Sequence, residues 1–140
     1  MSRSEGSRAG RAHPGTTWGD VGNDPPLHAS RDVSNHRINP MELAEAINSG
    51  EPPLLVDCRS PEEFALGAID KAVNIPLDRI SELIDSIEEP PSGIVVYCHK
   101  GVRSLAFTAM LLDAGYDDVR SLDGGIDLWS VRVDDRIPRY

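Results

Sequence analysis

An α/β fold with a central parallel sheet and helices on both faces is predicted by two features of this sequence. Short, largely apolar runs occupy residues 54–56, 72–75, 93–97 and 119–122. Their apolar character is close to continuous rather than alternating, as expected for strands that are buried on both faces. Segments with helical spacing of apolar residues separate the runs, and this alternation is typical of a parallel sheet with right-handed crossovers.

The first two predicted helices carry start signals. Asn39 and Glu42 have the spacing of a capping box, and the helix that follows is predicted to end at Gly50. Ser60 and Glu63 repeat this spacing ahead of a second helix, which is expected to be brief. Both helices therefore lie where a sheet crossover needs them.

The later helices are predicted from apolar stripes. One stripe covers residues 80–87 and another covers residues 105–114, where Gly115 is the expected left-handed stop. Trp129 is expected to pack a C-terminal helix against the sheet rather than to bind a ligand. These helices complete a three-layer arrangement.

The composition of the chain divides it into two parts. Residues 1–35 are rich in Ser, Gly, Arg, Pro and Asp and show no hydrophobic period, so they are predicted to form a flexible tail. Residues 36–140 are predicted to form one domain, because a chain of 140 residues has room for a single ordinary core.

Charge and cysteine usage exclude several classes of function. A formal net charge of −9 disfavours nucleic-acid binding, and no apolar run is long enough to span a bilayer. The two cysteines come without paired metal ligands, so neither a disulfide framework nor a metal site is expected. These features predict a cytoplasmic protein, and a monomer is assumed because no helix surface requires a partner.

The most informative residue is Cys98, which joins the third apolar run to a basic loop and the fourth helix. The loop consists of His99, Lys100, Gly101, Val102, Arg103 and Ser104. A strand–loop–helix turn aims backbone N–H groups and the positive helix end at the thiol, and cations beside it favour the thiolate. Cys98 is therefore predicted to be a catalytic nucleophile, and the loop is predicted to bind an anionic substrate.

Side chains that follow the first apolar run lie at the same predicted sheet edge, where ligands of parallel sheets bind. Asp57 and Arg59 are expected to support the loop, as an ion pair or through a hydrogen-bonded carboxylate, rather than to react. Cys58 is expected to be a buried, inert thiol, while an alternative makes it a resolving partner of an oxidised or persulfidated Cys98. The role of His99 stays open, since it either tunes the loop or faces solvent.

Three motifs together resemble one known family. They are the sequence VDCRSPEEF at residues 56–64, the loop CHKGVRS at residues 98–104 and the sequence GGIDLW at residues 124–129. In this order and spacing they resemble the rhodanese family of single-domain sulfurtransferases over residues 38–140. The C-terminal motif followed by IPRY is similar to rhodanese domains that are fused to, or work beside, adenylyltransferases of molybdopterin and thiamine biosynthesis.

The resemblance implies a rhodanese-like fold and a sulfurtransferase activity. Cys98 would accept a sulfane sulfur and hand it on, with the backbone amides of the loop around the persulfide and with Lys100 and Arg103 offsetting donor charge. Thiosulfate or a persulfidated cysteine desulfurase is the implied donor. Cyanide, a thiol or a sulfur-carrier protein is the implied acceptor, and no metal or organic cofactor is implied.

Two other functions are weighed against sulfur transfer. One is a non-catalytic binding or regulatory module built on the same loop. The other is a phosphatase or arsenate reductase, whose related loops place five residues between Cys and Arg, whereas four separate Cys98 from Arg103 here. The shorter loop favours sulfur over a tetrahedral oxyanion.

The sequence departs from the family pattern in the connection after the second helix. Ala68 stands where the family usually has histidine, and Lys71 replaces a common glycine. Neither position is expected to be catalytic, so the departures are expected to affect only how tightly this connection turns.

Overall fold

The structure is a computed structural model, and it describes residues 32–140. The predicted tail at residues 1–35 lies almost wholly outside this range, so that boundary stays a prediction. Among the described residues, no helix is long and apolar enough to cross a membrane.

A five-stranded parallel sheet forms the centre of the domain, which confirms the predicted fold class. Its strands are β1 (Arg37–Ile38), β2 (Leu54–Asp57), β3 (Val73–Asn74), β4 (Ile94–Tyr97) and β5 (Val119–Leu122). Their spatial order is β1-β5-β4-β2-β3. The sequence did not predict β1, because two residues are too few to show any period.

Five α-helices accompany the sheet in the described range: α1 (Pro40–Ile47), α2 (Pro61–Leu66), α3 (Ile80–Leu83), α4 (Val102–Asp113) and α5 (Gly125–Arg132). Both predicted capping boxes are present, at Asn39 with Glu42 and at Ser60 with Glu63. In each box the cap side chain accepts from a backbone N–H three residues on, and the carboxylate accepts from the cap N–H.

The predicted helix over residues 80–87 is broken. Only α3 is α-helical, and short 3₁₀ turns flank it at Leu77–Arg79 and Ile84–Ser86. The hydroxyl of Tyr116 lies 2.6 Å from the carbonyl oxygen of Ile84 and 2.8 Å from that of Ile87. The Tyr116 hydroxyl thus occupies carbonyl oxygens that a continued helix would use for its own hydrogen bonds. A local stripe of apolar residues gives no sign of this long-range contact.

Helix α4 begins three residues earlier than predicted. Gly101 has a φ of 106°, in the left-handed region, and the helix starts at Val102 rather than at Leu105. The basic and polar residues that the sequence assigned to the loop therefore include the first helical turn. As a result, Arg103 and Ser104 are held by helix geometry.

The two faces of the sheet bury separate apolar clusters. Alternate residues of β4 point to opposite faces, so Val96 and Cys98 join the cluster beneath Phe107 of α4, while Val95 joins the other. Trp129 of α5 is 5% exposed in that second cluster, which confirms its packing role. Helices thus cover both faces, as predicted.

The connection between α2 and β3 shows the effect of one departure from the family pattern. Lys71 has a φ of 70°, the one positive φ at a non-glycine residue in the described range. Glycine takes this conformation without cost, whereas a side chain is strained there. The backbone therefore keeps the turn that the common glycine would make.

Candidate active site

Cys98 follows β4 directly, and its side chain is almost completely buried beneath the turn that leads into α4. The backbone N–H of Gly101 donates to Cys98 Sγ over 3.1 Å, and that of Ser104 donates over 3.3 Å. Two of the predicted loop amides thus converge on the sulfur. A cradle of this kind stabilises a negative charge at Sγ.

Two serine hydroxyls extend this cradle into the sheet. The hydroxyl of Ser104 lies 3.5 Å from Cys98 Sγ and 2.7 Å from the hydroxyl of Ser121, and both serines are buried. When Cys98 is a thiolate, Ser104 donates to it and Ser121 donates to Ser104. Ser121 was not among the predicted site residues, although a serine within the apolar run of β5 was an available signal.

Cys58 is the third neighbour of the sulfur. It follows β2, lies on the same face as Cys98 and is equally buried. Its backbone N–H donates to the Tyr97 carbonyl over 2.9 Å, which places Cys58 beside Cys98 at the ends of two paired strands. The predicted burial of Cys58 is confirmed, and the structure places its side chain in the same buried cluster as that of Cys98.

These contacts set the charge on the two thiols. The hydrogen bond from Cys58, with those from Ser104 and Gly101, lowers the pKa of Cys98 to about 5 against the opposing effect of burial. The same hydrogen bond and burial raise the pKa of Cys58 far above its ordinary value. At neutral pH the pair therefore holds one thiolate, on Cys98, and one proton, on Cys58.

Arg103 does not extend freely over the loop, because Glu63 of α2 holds it. Its two terminal nitrogens donate to the two carboxylate oxygens over 2.7 and 3.0 Å. This fork lowers the pKa of Glu63 below its ordinary range. Glu63 also completes the capping box of α2, so one side chain links the start of α2 to the start of α4.

Tyr140 packs over the loop from the C-terminal segment. Its ring stacks on His99, with the ring centroids 3.9 Å apart, and its hydroxyl donates to Glu63 over 2.7 Å. His99 Nε2 is buried and has no hydrogen-bond partner among residues 32–140. His99 thus lies under Tyr140 rather than facing solvent freely.

Asp57, the last residue of β2, and Arg59 form a completely buried ion pair, with Arg59 Nη2 2.6 Å from the carboxylate. The same nitrogen donates to the Gly67 carbonyl, and Nη1 donates to the Tyr140 hydroxyl over 3.0 Å. The pair therefore reaches the loop through Tyr140 and not by direct contact.

Lys100 and Val102 form the outer rim of the loop. Lys100 is exposed, and Val102 is 77% exposed at the first position of α4. Neither residue points into the cradle around Sγ, so both are available to a molecule that approaches from solvent.

The start of α5 fixes the other side of the loop. The backbone N–H of Ile126 donates to the Cys98 carbonyl over 2.8 Å, and that of Asp127 donates to the His99 carbonyl over 3.0 Å. Gly125 has a φ of 61°, and a Cβ there would come within 2.5 Å of the Cys98 carbonyl oxygen. Only glycine allows the two segments to approach this closely.

The assembled site is a buried thiolate held by N–H and O–H donors, beneath a loop that carries the exposed Lys100. Such a group can attack an electrophilic sulfur, and the cradle can hold the charge that returns to the sulfur when a bond breaks. Among residues 32–140, no cluster of metal-binding side chains accompanies it.

A family model described as "Rhodanese-like domain" matches residues 39–132. Among curated proteins, a sulfurtransferase of Allochromatium vinosum is 35% identical over 95 residues, which is 68% of this chain and 88% of that protein. The adenylyltransferase and sulfurtransferase UBA4 of Candida albicans is 30% identical over 111 residues. This alignment covers 74% of this chain and 25% of UBA4, so the chain spans about a quarter of that relative.

Solved structures show the same similarity. The human single-domain sulfurtransferase TSTD1 matches with a TM-score of 0.63 and 28% identity, over 69% of this chain and 96% of that chain. A rhodanese-related protein of Thermoplasma volcanium matches with a TM-score of 0.63 and 28% identity, over 70% of this chain and 93% of that one.

Proposed function

This chain belongs to the rhodanese-like domain family, and we propose that it is a sulfurtransferase whose Cys98 thiolate carries sulfane sulfur as a persulfide. The observation that carries the proposal is the convergence of three donors on one buried sulfur: the N–H groups of Gly101 and Ser104 and the Ser104 hydroxyl. A thiol held as a thiolate at neutral pH is the form that attacks sulfur. Sulfurtransferases among the relatives support the same chemistry.

In the first half-reaction, Cys98 Sγ attacks the outer sulfur of an anionic donor such as thiosulfate. The new Sγ–S bond forms as the sulfur–sulfur bond of thiosulfate breaks, and sulfite leaves with the electron pair. The persulfide keeps the negative charge on its outer sulfur, and the N–H and O–H donors of the cradle lie beside it. No proton has to move in this step.

An anionic sulfur donor is repelled by this protein, whose formal net charge is −9. Lys100 on the loop rim and the positive end of α4 are the groups that offset this charge. Arg103 contributes at longer range, because its guanidinium is already engaged with Glu63. The resemblance to the family assigned this role to Lys100 and Arg103 together.

In the second half-reaction, a nucleophile attacks the outer sulfur and Cys98 leaves as a thiolate. Cyanide, a small thiol or the terminus of a sulfur-carrier protein fits this role. A protein donor or acceptor would dock on the exposed rim at Lys100 and Val102. The relatives named adenylyltransferase and sulfurtransferase motivate a protein partner, and a persulfidated cysteine desulfurase is the corresponding donor. The cytoplasmic location is part of this proposal, because both cysteines are free thiols.

The test is the formation of thiocyanate from thiosulfate and cyanide. We expect turnover by the wild-type protein with ping-pong kinetics and none by Cys98→Ser. Lys100→Ala should raise KM for thiosulfate with little change in kcat, and Lys71→Ala is the matched control for removing a lysine away from the loop. Turnover that survives in Cys98→Ser would contradict the proposal.

The same preparation separates the alternatives. Hydrolysis of an aryl phosphate or reduction of arsenate, abolished in Cys98→Ser, would favour phosphatase or reductase chemistry. A protein that forms no persulfide with any donor, yet binds a partner equally well as Cys98→Ser, would be a binding module. We expect neither result, because the loop has four residues between Cys98 and Arg103 and its donors serve a charged sulfur.

A further inference from the structure

The two cysteines of this chain occupy adjacent, matched positions on neighbouring strands. β2 pairs with β4 in parallel, with Asp57 opposite Tyr97 at the last registered position. The ladder continues one step further, because the backbone N–H of Cys58 donates to the Tyr97 carbonyl over 2.9 Å. Cys58 and Cys98 are the next residues in each strand direction, and both side chains belong to the same buried cluster.

This placement suits a covalent bond between the two sulfurs. Neighbouring strands lie about 4.8 Å apart, and disulfides form where Cα atoms are about 4.4 to 6.8 Å apart with side chains on the same side. Both thiols lie on the same face of the sheet and in the same buried cluster, so the two side chains are on the same side. No strand has to move far for the sulfurs to meet.

We propose that Cys58 is a resolving thiol, which attacks Sγ of the Cys98 persulfide, expels the outer sulfur as hydrosulfide and closes a Cys58–Cys98 disulfide. This inference rests on the proposed function, since it needs the persulfide. It adds an activity, the release of sulfide without an external sulfur acceptor.

The step balances without an external oxidant. A bond forms between Cys58 Sγ and Cys98 Sγ, and the bond between Cys98 Sγ and the sulfane sulfur breaks. The two cysteine sulfurs are oxidised together by two electrons, and the sulfane sulfur is reduced by the same two. The proton of the Cys58 thiol leaves with that sulfur as hydrosulfide. A dithiol reductant then restores both cysteines.

Loading Cys98 makes Cys58 a better nucleophile. In the sulfur-free protein the Cys98 thiolate holds the Cys58 proton, whereas in the persulfide the charge resides on the outer sulfur, one bond further away. Arg103 already favours the charged form of Cys58. Burial of Cys58 still disfavours its thiolate, so release should be slower than discharge to a good external acceptor such as cyanide.

The experiment loads the reduced protein briefly with thiosulfate, removes the donor and follows intact mass and free sulfide without reductant. Loading adds about 32 Da. In the wild-type protein we expect this species to convert to one about 2 Da below the reduced mass, with one equivalent of sulfide. A tryptic digest should then link peptide 38–59 to peptide 80–100.

Cys58→Ser is the matched control, because its hydroxyl still donates a hydrogen bond but cannot form a disulfide. We expect its persulfide to last at least about tenfold longer than that of the wild type. A persulfide that forms in both proteins and decays equally, without the linked peptides, would overturn the inference and leave the proposed function standing.

Treatment with peroxide distinguishes failure of this inference from failure of the proposed function. Peroxide converts Cys98 to a sulfenic acid, and Cys58 displaces its hydroxyl with loss of water, so this disulfide forms without a persulfide. If peroxide links the two peptides but no donor adds sulfur, the proposed function fails and sulfide release falls with it. If Cys58→Ser does not fold, the linked peptides and the sulfide yield of the wild-type protein still show whether Cys58 resolves the Cys98 persulfide.

Discussion

Cys98 Sγ owes its charge to donors that come from distant parts of the chain. Gly101 and Ser104 belong to its own loop, whereas Cys58 belongs to the neighbouring strand end and Ser121 supports Ser104 from β5. Hydrogen bonds to a charged group are each stronger than those between neutral groups, so a few of them outweigh the cost of burial. The pKa of Cys98 is therefore set by the fold and not by the loop alone.

Replacing Cys58 should raise the pKa of Cys98. In the wild type, alkylation by iodoacetamide should reach half its maximal rate near pH 5, which is the lowered pKa of Cys98. Cys58→Ala removes one donor, so the midpoint should move up by about one to two pH units. Cys58→Ser should fall between them. The rate is read on peptide 80–100, which contains Cys98 alone, and an unchanged midpoint in Cys58→Ala would contradict this assignment.

Glu63 is predicted to position the loop through Arg103. Glu63→Gln removes the bidentate partner, so kcat with thiosulfate should fall by about tenfold or more as the start of α4 loosens. The free energy of unfolding should change by only about 0 to 1 kcal/mol, because the pair is partly exposed. Glu62→Gln, on the exposed neighbouring residue, should change neither quantity. Equal losses of activity in both variants would refute this role.

Acid titration gives Glu63 a second test. Its pKa is lowered by Arg103, so the folded state gains stability that is fully present above the unfolded pKa of about 4.3 and is lost as the pH falls below it. Urea unfolding of the wild type should therefore weaken more steeply between about pH 5 and pH 3 than unfolding of Glu63→Gln. Parallel curves would show that the ion pair does not contribute.

At the scale of elements, the carboxyl ends of β2, β4 and β5 supply the site, and the starts of α4 and α5 close it. α5 reaches the loop by donating two backbone N–H groups to the carbonyls of Cys98 and His99. The approach is close enough that Gly125 has no room for a side chain. α5 thus fixes the first residues of the loop, and Glu63 holds Arg103 at the start of α4.

Gly125→Ala should disrupt the site far more than a glycine substitution elsewhere. Both Gly125 and Gly50 have positive φ, but a Cβ at Gly50 meets nothing within 4 Å. Gly50→Ala should cost only the backbone strain, about 1 to 2 kcal/mol of unfolding free energy. Gly125→Ala should cost about 1 to 3 kcal/mol more, since the loop carbonyls must move, and should abolish thiosulfate turnover. Equal costs measured by urea unfolding would contradict the close packing.

Most elements could be predicted because their signals are local. Each of these signals depends on a few neighbouring residues: the capping boxes at Asn39 and Ser60, the apolar runs and the left-handed stop after α4. The exceptions arise from long-range contacts. β1 exists because it pairs with β5, and the helix after residue 80 breaks where Tyr116 contacts the carbonyls of Ile84 and Ile87.

Across the whole molecule, a chain of polar contacts joins the sheet to the loop. It runs from the buried pair of Asp57 and Arg59 through Tyr140 to Glu63 and on to Arg103. The sequence predicted the two residues of the pair and Arg103 but not the links between them. Tyr140 contacts Glu63 across 77 positions and Glu63 contacts Arg103 across 40, separations that leave no local pattern.

Breaking the buried pair should destabilise the whole domain. Asp57→Asn leaves the charge of Arg59 buried without a counter-ion, so the free energy of unfolding should fall by about 3 to 5 kcal/mol. Asp134→Asn removes the partner of Arg136, whose side chain is 86% exposed. This change should alter the free energy of unfolding by no more than about 1 kcal/mol. Urea titration measures the free energy of unfolding of both variants. Similar small losses would show that the buried pair stabilises the domain no more than an exposed pair does.

A Cys98 that carries sulfur must gain the mass of one sulfur atom, which intact mass spectrometry detects within moments of adding thiosulfate. Wild type and Cys58→Ser should each gain about 32 Da, lost again on addition of cyanide, while Cys98→Ser gains nothing. A sulfur mass that also appears on Cys98→Ser, or one that cyanide does not remove, would contradict the account.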